Sequence, residues 1–429
     1  MHFSPLPPLT RGEESTCRSL RGGEVLAMVS VNLQDDTEAG SLPTIADRPF
    51  FFLYLSFFLA FANIALLYLY PLAINQMIRN AHHLIGLVMW AFSVATVISR
   101  PFMGKMAALK GEYWVISLGM AISFIASLGY MLATTFGPGM VLVRVVHGIG
   151  FSAFIAGSFS LAARASHPRK RGEAFSLIGV ALMAAVALAP PFGEFLIRKW
   201  GFHALYIAAS ISAIGAWVAA SIDLRPTSPS LRRGEKIAVA YLPLLKNRSY
   251  IFLLCSTLIF AHCQGSVTSF FALIASEKGI ASGRFFFASY IVSILVLLTM
   301  GRLIDRYGKL LFLRSFYPVY ALGILLIPWV ITSSFLVIPA LLYGIGMGLL
   351  FPAHNALAAA HGTRLEKPAI MSLFTATYDM GFITGPVISG WVAHHTSLDM
   401  LFVASGIIGL FGFLIVLLSP IMEDEAPPR

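Results

Sequence analysis

The chain has 429 residues, of which 57% are hydrophobic and only 12% charged. Soluble domains carry roughly 25% charged residues, so the composition excludes an ordinary soluble protein and points to a chain that crosses a membrane many times. A formal charge of +10 would suggest nucleic acid on a soluble protein, but here its placement assigns it another use.

Residues 1–47 are polar and rich in Pro, Gly and Ser, without the apolar core of a signal peptide. They read as a disordered cytoplasmic tail. Arg-Gly-Gly-Glu at 21–24 requires a purine-rich coding stretch of the kind that binds a ribosome, so Met28 is expected to be the natural start. A membrane helix needs about 20 mostly apolar residues. Twelve segments qualify: 50–74, 84–106, 113–134, 138–163, 174–197, 203–222, 249–275, 284–303, 310–331, 335–357, 369–392 and 398–420. The polar stretch 223–248 divides them into a half at 48–222 and a half at 249–420, and 421–429 forms a short tail. The expected fold is therefore an all-α membrane protein of two six-helix bundles.

Basic residues set the orientation. With the N-terminus inside, the inner loops hold 18 Lys and Arg and the outer loops hold 5, namely Arg79, Arg198, Lys199, Lys278 and Arg284. Both termini are expected in the cytoplasm, and the positive charge needs no nucleic-acid partner. The three cysteines, Cys17, Cys255 and Cys263, form neither a disulfide framework nor a CxxC site. Cys255 and Cys263 read as packing residues.

The halves repeat. At an offset of 196, Gly148-Ile149-Gly150 falls on Gly344-Ile345-Gly346, Leu161-Ala162-Ala163 on Leu357-Ala358-Ala359, and Pro190 on Pro386. Gly104 and Gly111 are spaced like Gly301 and Gly308. Parallel repeats of this kind place a binding site between the halves, near the bilayer midplane. The segment 301–309, Gly-Arg-Leu-Ile-Asp-Arg-Tyr-Gly-Lys, reads as a short polar turn joining two membrane helices.

Gly301-x-x-x-Asp305-Arg306-x-Gly308-Lys309 matches the loop signature of the major facilitator superfamily, and Arg144-x-x-x-Gly148-x-Gly150 looks like a second signature. The chain resembles bacterial twelve-helix efflux-type members over residues 48–420. An antiporter signature is partly present at Ala189-Pro190-Pro191-Phe192-Gly193-Glu194, and Gly385-Pro386 with Gly390 is a fuller version. Ala108, Leu109 and Glu112 depart from the loop signature where it would recur in the first half. The resemblance implies alternating access, with helices 1, 4, 7 and 10 along the central path. It also implies that Asp305 sits near the helix start at Lys367-Pro368, where a helix dipole would let it latch the inner side. Its other reading is a solvated turn that only sets topology.

Asp379 lies near the middle of 369–392. A charge at the bilayer centre costs about 2.5–3.5 kcal/mol on insertion scales. That cost favours a place in the bundle interior, as a proton-binding group or as a structural hydrogen-bond partner. Arg144 lies two turns inside the fourth segment, with His147 on the same face. The resemblance implies that this arginine serves proton coupling or holds an anionic group; a bond to backbone carbonyls is the plain alternative. Arg100 sits near an inner end and reads as snorkelling to the interface. His262 and Gln264 interrupt the seventh segment, and with Asn63 and Tyr68 of the first they are candidate cavity residues. His354 and Asn355 lie closer to the inner end, and Glu194 reads as an exposed carboxylate at the outer mouth.

There is no P-loop, no His-Glu-x-x-His and no Gly-x-Ser-x-Gly. No enzymatic chemistry, cofactor or metal is expected, and transport must draw on a gradient. The expected protein is a multi-pass, monomeric transporter of the bacterial inner membrane, exporting a small molecule against protons. Uptake by symport or uniport of a sugar or organic acid is the alternative, and a non-transporting receptor is a remote one.

Overall fold

The computed structural model describes residues 48–78, 81–165, 171–223, 246–362 and 366–419. The tail at 1–47, most of the 223–248 linker and the residues beyond 419 lie outside it, as does the expectation about Met28. Every long element among the described residues is a helix. In chain order they are α1 (Arg48–Leu66, prolonged by a 3-10 turn Leu67–Leu69 and a short helix Tyr70–Met77), α2 (His82–Lys110), α3 (Glu112–Leu132), α4 (Pro138–Ala165), α5 (Arg171–Trp200) and α6 (Phe202–Asp223). Then come α7 (Arg248–Glu277), α8 (Gly283–Tyr307), α9 (Lys309–Leu325, with Ile327–Val330), α10 (Val337–Ala360), α11 (Lys367–His395) and α12 (Leu398–Leu417). Ten of these are long and apolar enough to cross a membrane. The other two are α9, which is only 17 residues long before its break, and α11, which carries Asp379 and ends in His394 and His395.

One expectation is corrected. Residues 301–307 are not a turn but the last two turns of α8, and only Gly308 breaks the helix. A helix already satisfies its backbone groups, so polar side chains let it leave the bilayer without unwinding. Gly308 takes φ +94°, and Gly111 takes the same value between α2 and α3. That left-handed region suits glycine and explains the second glycine of each repeated pair. The side chains of Asp305 and Arg306 lie outside the described structure, and of Gly301 only its place in the helix is described. Lys309 opens α9 directly after the break.

The two halves pack alike. In the first, α1 packs on α5 and α6, α4 on α2 and α3, and α3 on α6; in the second, α7 packs on α11 and α12, α10 on α8 and α9, and α9 on α12. The repeated glycines sit at these crossings. A methyl group on Gly148 would strike the Phe92 backbone, and one on Gly344 would strike Ser289. Thr96 Oγ1 donates to the Gly148 carbonyl (3.1 Å), as Ser293 Oγ does to that of Gly344 (2.7 Å). Small residues permit such close backbone approach where no hydrophobic force drives helices together. Across the halves, α2 packs on α11 and α5 on α8.

Several polar residues serve the scaffold. Glu112, where the loop signature of the first half departs, is buried at the start of α3. It pairs with Arg164 of α4 at 3.1 Å and accepts from Ser160. Its position also complements the helix dipole. Lys278, just past α7, pairs with Asp399 in the first turn of α12 at 2.8 Å. That hydrogen bond holds the Lys278 ammonium above its usual pKa. Cys263 packs as expected, donating to the Ser405 carbonyl, whereas Cys255 is exposed. His354 is a buried tie between Ser256 (3.1 Å) and its own helix.

Candidate functional site

Between the halves lies a cavity of about 360 Å³, within the range of small-molecule sites. Its walls come from α1, α2, α4, α5, α7, α8, α10 and α11, so α2, α5, α8 and α11 contribute beside the four expected ones. Most of the lining is aromatic or aliphatic. Three charged residues face it: Arg100, Arg144 and Asp379.

Asp379 of α11 forms an ion pair with Arg100 of α2. The pair bridges the two halves at the cavity wall, and the two side chains keep 17% and 24% of their exposure. Sequence reasoning found Asp379 but sent Arg100 to the interface. The signal available was a second charge inside an apolar helix, and its partner lies 279 positions away.

Arg144 is 4% exposed. Its Nη1 donates to Tyr130 Oη (3.4 Å) and its Nη2 reaches the Met89 sulfur (3.2 Å). The guanidinium lies 4.9 Å from the Phe92 ring and 5.8 Å from that of Tyr70. Its Nε has no partner. His147, one turn on, bonds Tyr130 Oη (3.2 Å) and Asn63 Oδ1 (2.7 Å). Asn63 in turn donates to Ser127 Oγ (2.8 Å) and the Ala209 carbonyl (2.7 Å). Asn63 and His147 are therefore buried inside the first half, tying α1, α3, α4 and α6, rather than lining the cavity.

Tyr68 and Gln264 do line it. Gln264 accepts a hydrogen bond from Tyr378 at 2.6 Å, which places α7 and α11 side by side. His262 points away from the cavity, with Nδ1 against Thr384 Oγ1 of α11 (3.1 Å). The sequence reading missed Tyr378, Tyr290, Thr268 and Ser269 as cavity residues. Tyr378 sits next to Asp379 and was within reach; the others needed the helix rotation.

On the side opposite the α6–α7 linker the halves are drawn together. Glu194 of α5 accepts from the Ser282 backbone N–H (2.6 Å) and hydroxyl (2.5 Å) at the start of α8. It is thus a half-buried cross-half cap and not the exposed carboxylate expected. Gly283 meets Pro191 so closely that an added methyl would lie 2.6 Å from the Pro191 Cα. Between α2 and α11, Gly86 abuts Pro386 and Gly390, and the His83 and His394 rings lie 4.0 Å apart.

Comparison with known proteins places this arrangement. The solved structure of the nucleoside transporter NupG superposes with a TM-score of 0.69 at 18% identity, covering 86% of this chain and 98% of that one. A bacterial homologue of the lysosomal transporter Spinster, in an inward-facing and unoccupied conformation, gives 0.70 at 14% identity over 88% and 98%. In sequence, the chain is 26% identical over 336 residues to the MFS-type transporter YhhS of Shigella flexneri, covering 75% of this chain and 79% of the relative. It is 25% identical over 382 residues to the multidrug resistance protein MdtG of Klebsiella pneumoniae, covering 84% and 90%. The Major Facilitator Superfamily pattern matches residues 51–299 and 276–429, and with the paired six-helix bundles around one cavity this chain belongs to that superfamily of membrane transporters.

Proposed function

We propose that the protein is a proton-coupled exporter of a small molecule, working as a monomer in the bacterial inner membrane with both termini cytoplasmic. The halves 48–222 and 249–420, joined by the linker 223–248, rock about the cavity and expose it to each side in turn. The excess of basic residues on the linker side supports that side as cytoplasmic. The structure then corresponds to a state closed towards the outside by the Glu194–Ser282 and Gly86–Gly390 contacts. The likeness to a multidrug resistance protein over 90% of its length supports export.

The observation that carries the reading is the Arg100–Asp379 pair. It joins the halves through charge and lines the cavity. A proton on Asp379 removes the negative partner, weakens the bridge and frees Arg100. Proton binding and the packing of α2 against α11 are thereby linked, which is the requirement for coupling. No acid faces Arg144 among the described residues, so the expectation that Arg144 shares the proton work has less support than that for Asp379. Asp305 remains the proposed inner latch.

The test is proton movement in inside-out vesicles loaded with a pH-sensitive dye. An exported compound should dissipate the acid gradient when added to vesicles holding the native protein. Vesicles holding Asp379→Asn should show at least a tenfold lower response at equal protein. Transport of that compound with no proton movement in either sample would refute coupling, and a proton-driven flux in the opposite direction would refute export.

A further inference from the structure

The cavity is unbalanced in charge, and the imbalance names a substrate class. Arg100 and Asp379 neutralise each other. Arg144 has no carboxylate partner among the described residues, although it is 4% exposed. Its neighbours are a phenol, a thioether and two ring faces. Each is a weak partner for a cation. Its Nε is buried with no acceptor. A guanidinium in that setting has donors that no carboxylate or carbonyl among the described residues fills, on the wall of an apolar cavity.

We propose that Arg144 is the headgroup site of the transported molecule, and that this molecule is a monovalent organic anion with a flat apolar body. The proposal rests on the reading of the cavity as a transport site. An arylcarboxylate would offer two oxygens to the guanidinium in a charge-assisted, bidentate bond. Its rings would lie among Phe61, Phe92, Phe151 and Phe382. Loading would bring the cavity to charge neutrality. A cationic substrate meets the opposite situation, because Asp379 is already held by Arg100 and Arg144 repels it. A neutral substrate leaves the buried fork unfilled, at the cost of a lost charged hydrogen bond.

The test is binding to the purified full chain in lipid nanodiscs, by calorimetry. The probes are benzoate, naphthoate and anthroate, with naphthamide and naphthylmethylamine as neutral and cationic isosteres. We expect saturable binding of at least one arylcarboxylate, and binding of its amide and amine about tenfold weaker or less. Arg144→Gln should lose at least about tenfold for the carboxylate and little for the amide. Arg144→Lys should keep part of the affinity, since it retains charge and loses the fork. Glu112→Gln serves as the structural control: it breaks the ion pair with Arg164, neither residue of which lines the cavity, and should leave the carboxylate affinity within about threefold. An amide that binds as tightly as its carboxylate, an Arg144→Gln variant that binds like the native protein, or no binding by any carboxylate would overturn the proposal. Counterflow in proteoliposomes separates the two readings. Export of a neutral or cationic compound that Arg144→Gln leaves intact overturns the anion site and keeps the transporter. Carboxylate binding through Arg144 with no flux keeps the site and overturns transport.

Discussion

Asn63 shows how one side chain in a membrane helix ties down others. It accepts from or donates to His147, Ser127 and the Ala209 carbonyl, all within 2.8 Å. Truncation to Ala would take their Asn63 partner from His147 Nε2 and Ser127 Oγ in a place water does not reach. An unsatisfied buried group costs about 1–3 kcal/mol. Asn63→Ala should therefore lower the thermal unfolding midpoint in detergent, and it should change substrate affinity less than Arg144→Gln does. A variant as stable as the native protein would mean that the network is redundant. The contrast with Arg144 is instructive. Both are polar residues in apolar helices and both were legible as such, since a polar group in a bilayer must be accounted for. What they are for differs, because Asn63 is fully partnered and Arg144 is not.

At the scale of elements, α2 and α11 approach through backbone at Gly86 and Gly390. A methyl placed on Gly390 would lie 2.8 Å from the His82 carbonyl oxygen, and one on Gly86 would be 3.3 Å from the Gly390 Cα while striking the Pro386 carbonyl harder still. Neither obstacle is a flexible side chain, so a large residue has to push the helices apart. Gly86→Leu is expected to wedge open the side away from the linker. With the native cysteines replaced and Ser93→Cys placed on the cavity wall, a membrane-impermeant thiol reagent added from that side should label several times faster than without the wedge. Unchanged labelling would show that the α5–α8 contact alone suffices to close it. Helix existence and order were legible from apolar runs and prolines. The extension of α8 through 301–307 was not, because a polar stretch reads alike as turn or as helix end, and only Gly308 carries the break.

Across the whole molecule, closure depends on two contact regions related by the internal repeat, α2 with α11 and α5 with α8. Glu194 secures the second by accepting two hydrogen bonds at the start of α8. A hydrogen bond to a charged group contributes about 1.5–3 kcal/mol, less where water competes. Removing these bonds with Glu194→Ala should shift the balance between closed and open states by about tenfold for each 1.4 kcal/mol lost. Distances between spin labels on the outer ends of α5 and α8 are expected to lengthen and broaden in that variant. An unaltered distribution would assign closure to the glycine contact instead.

The amino-acid sequence by itself determined that this chain lives in a bilayer as a series of apolar helices, where it repeats and which charges interrupt those helices. Those properties follow from the cost of placing polar groups in hydrocarbon, which every local stretch must meet separately. The tertiary structure decided which charges find partners. Arg100 meets Asp379 and Glu194 meets the start of α8 because helices far apart in sequence pack side by side. His147 and Asn63 turn inward to each other, while Arg144 stands at a cavity with no acid paired to it among the described residues. Which face a helix presents depends on the rotation set by its neighbours, and no single apolar run contains that information.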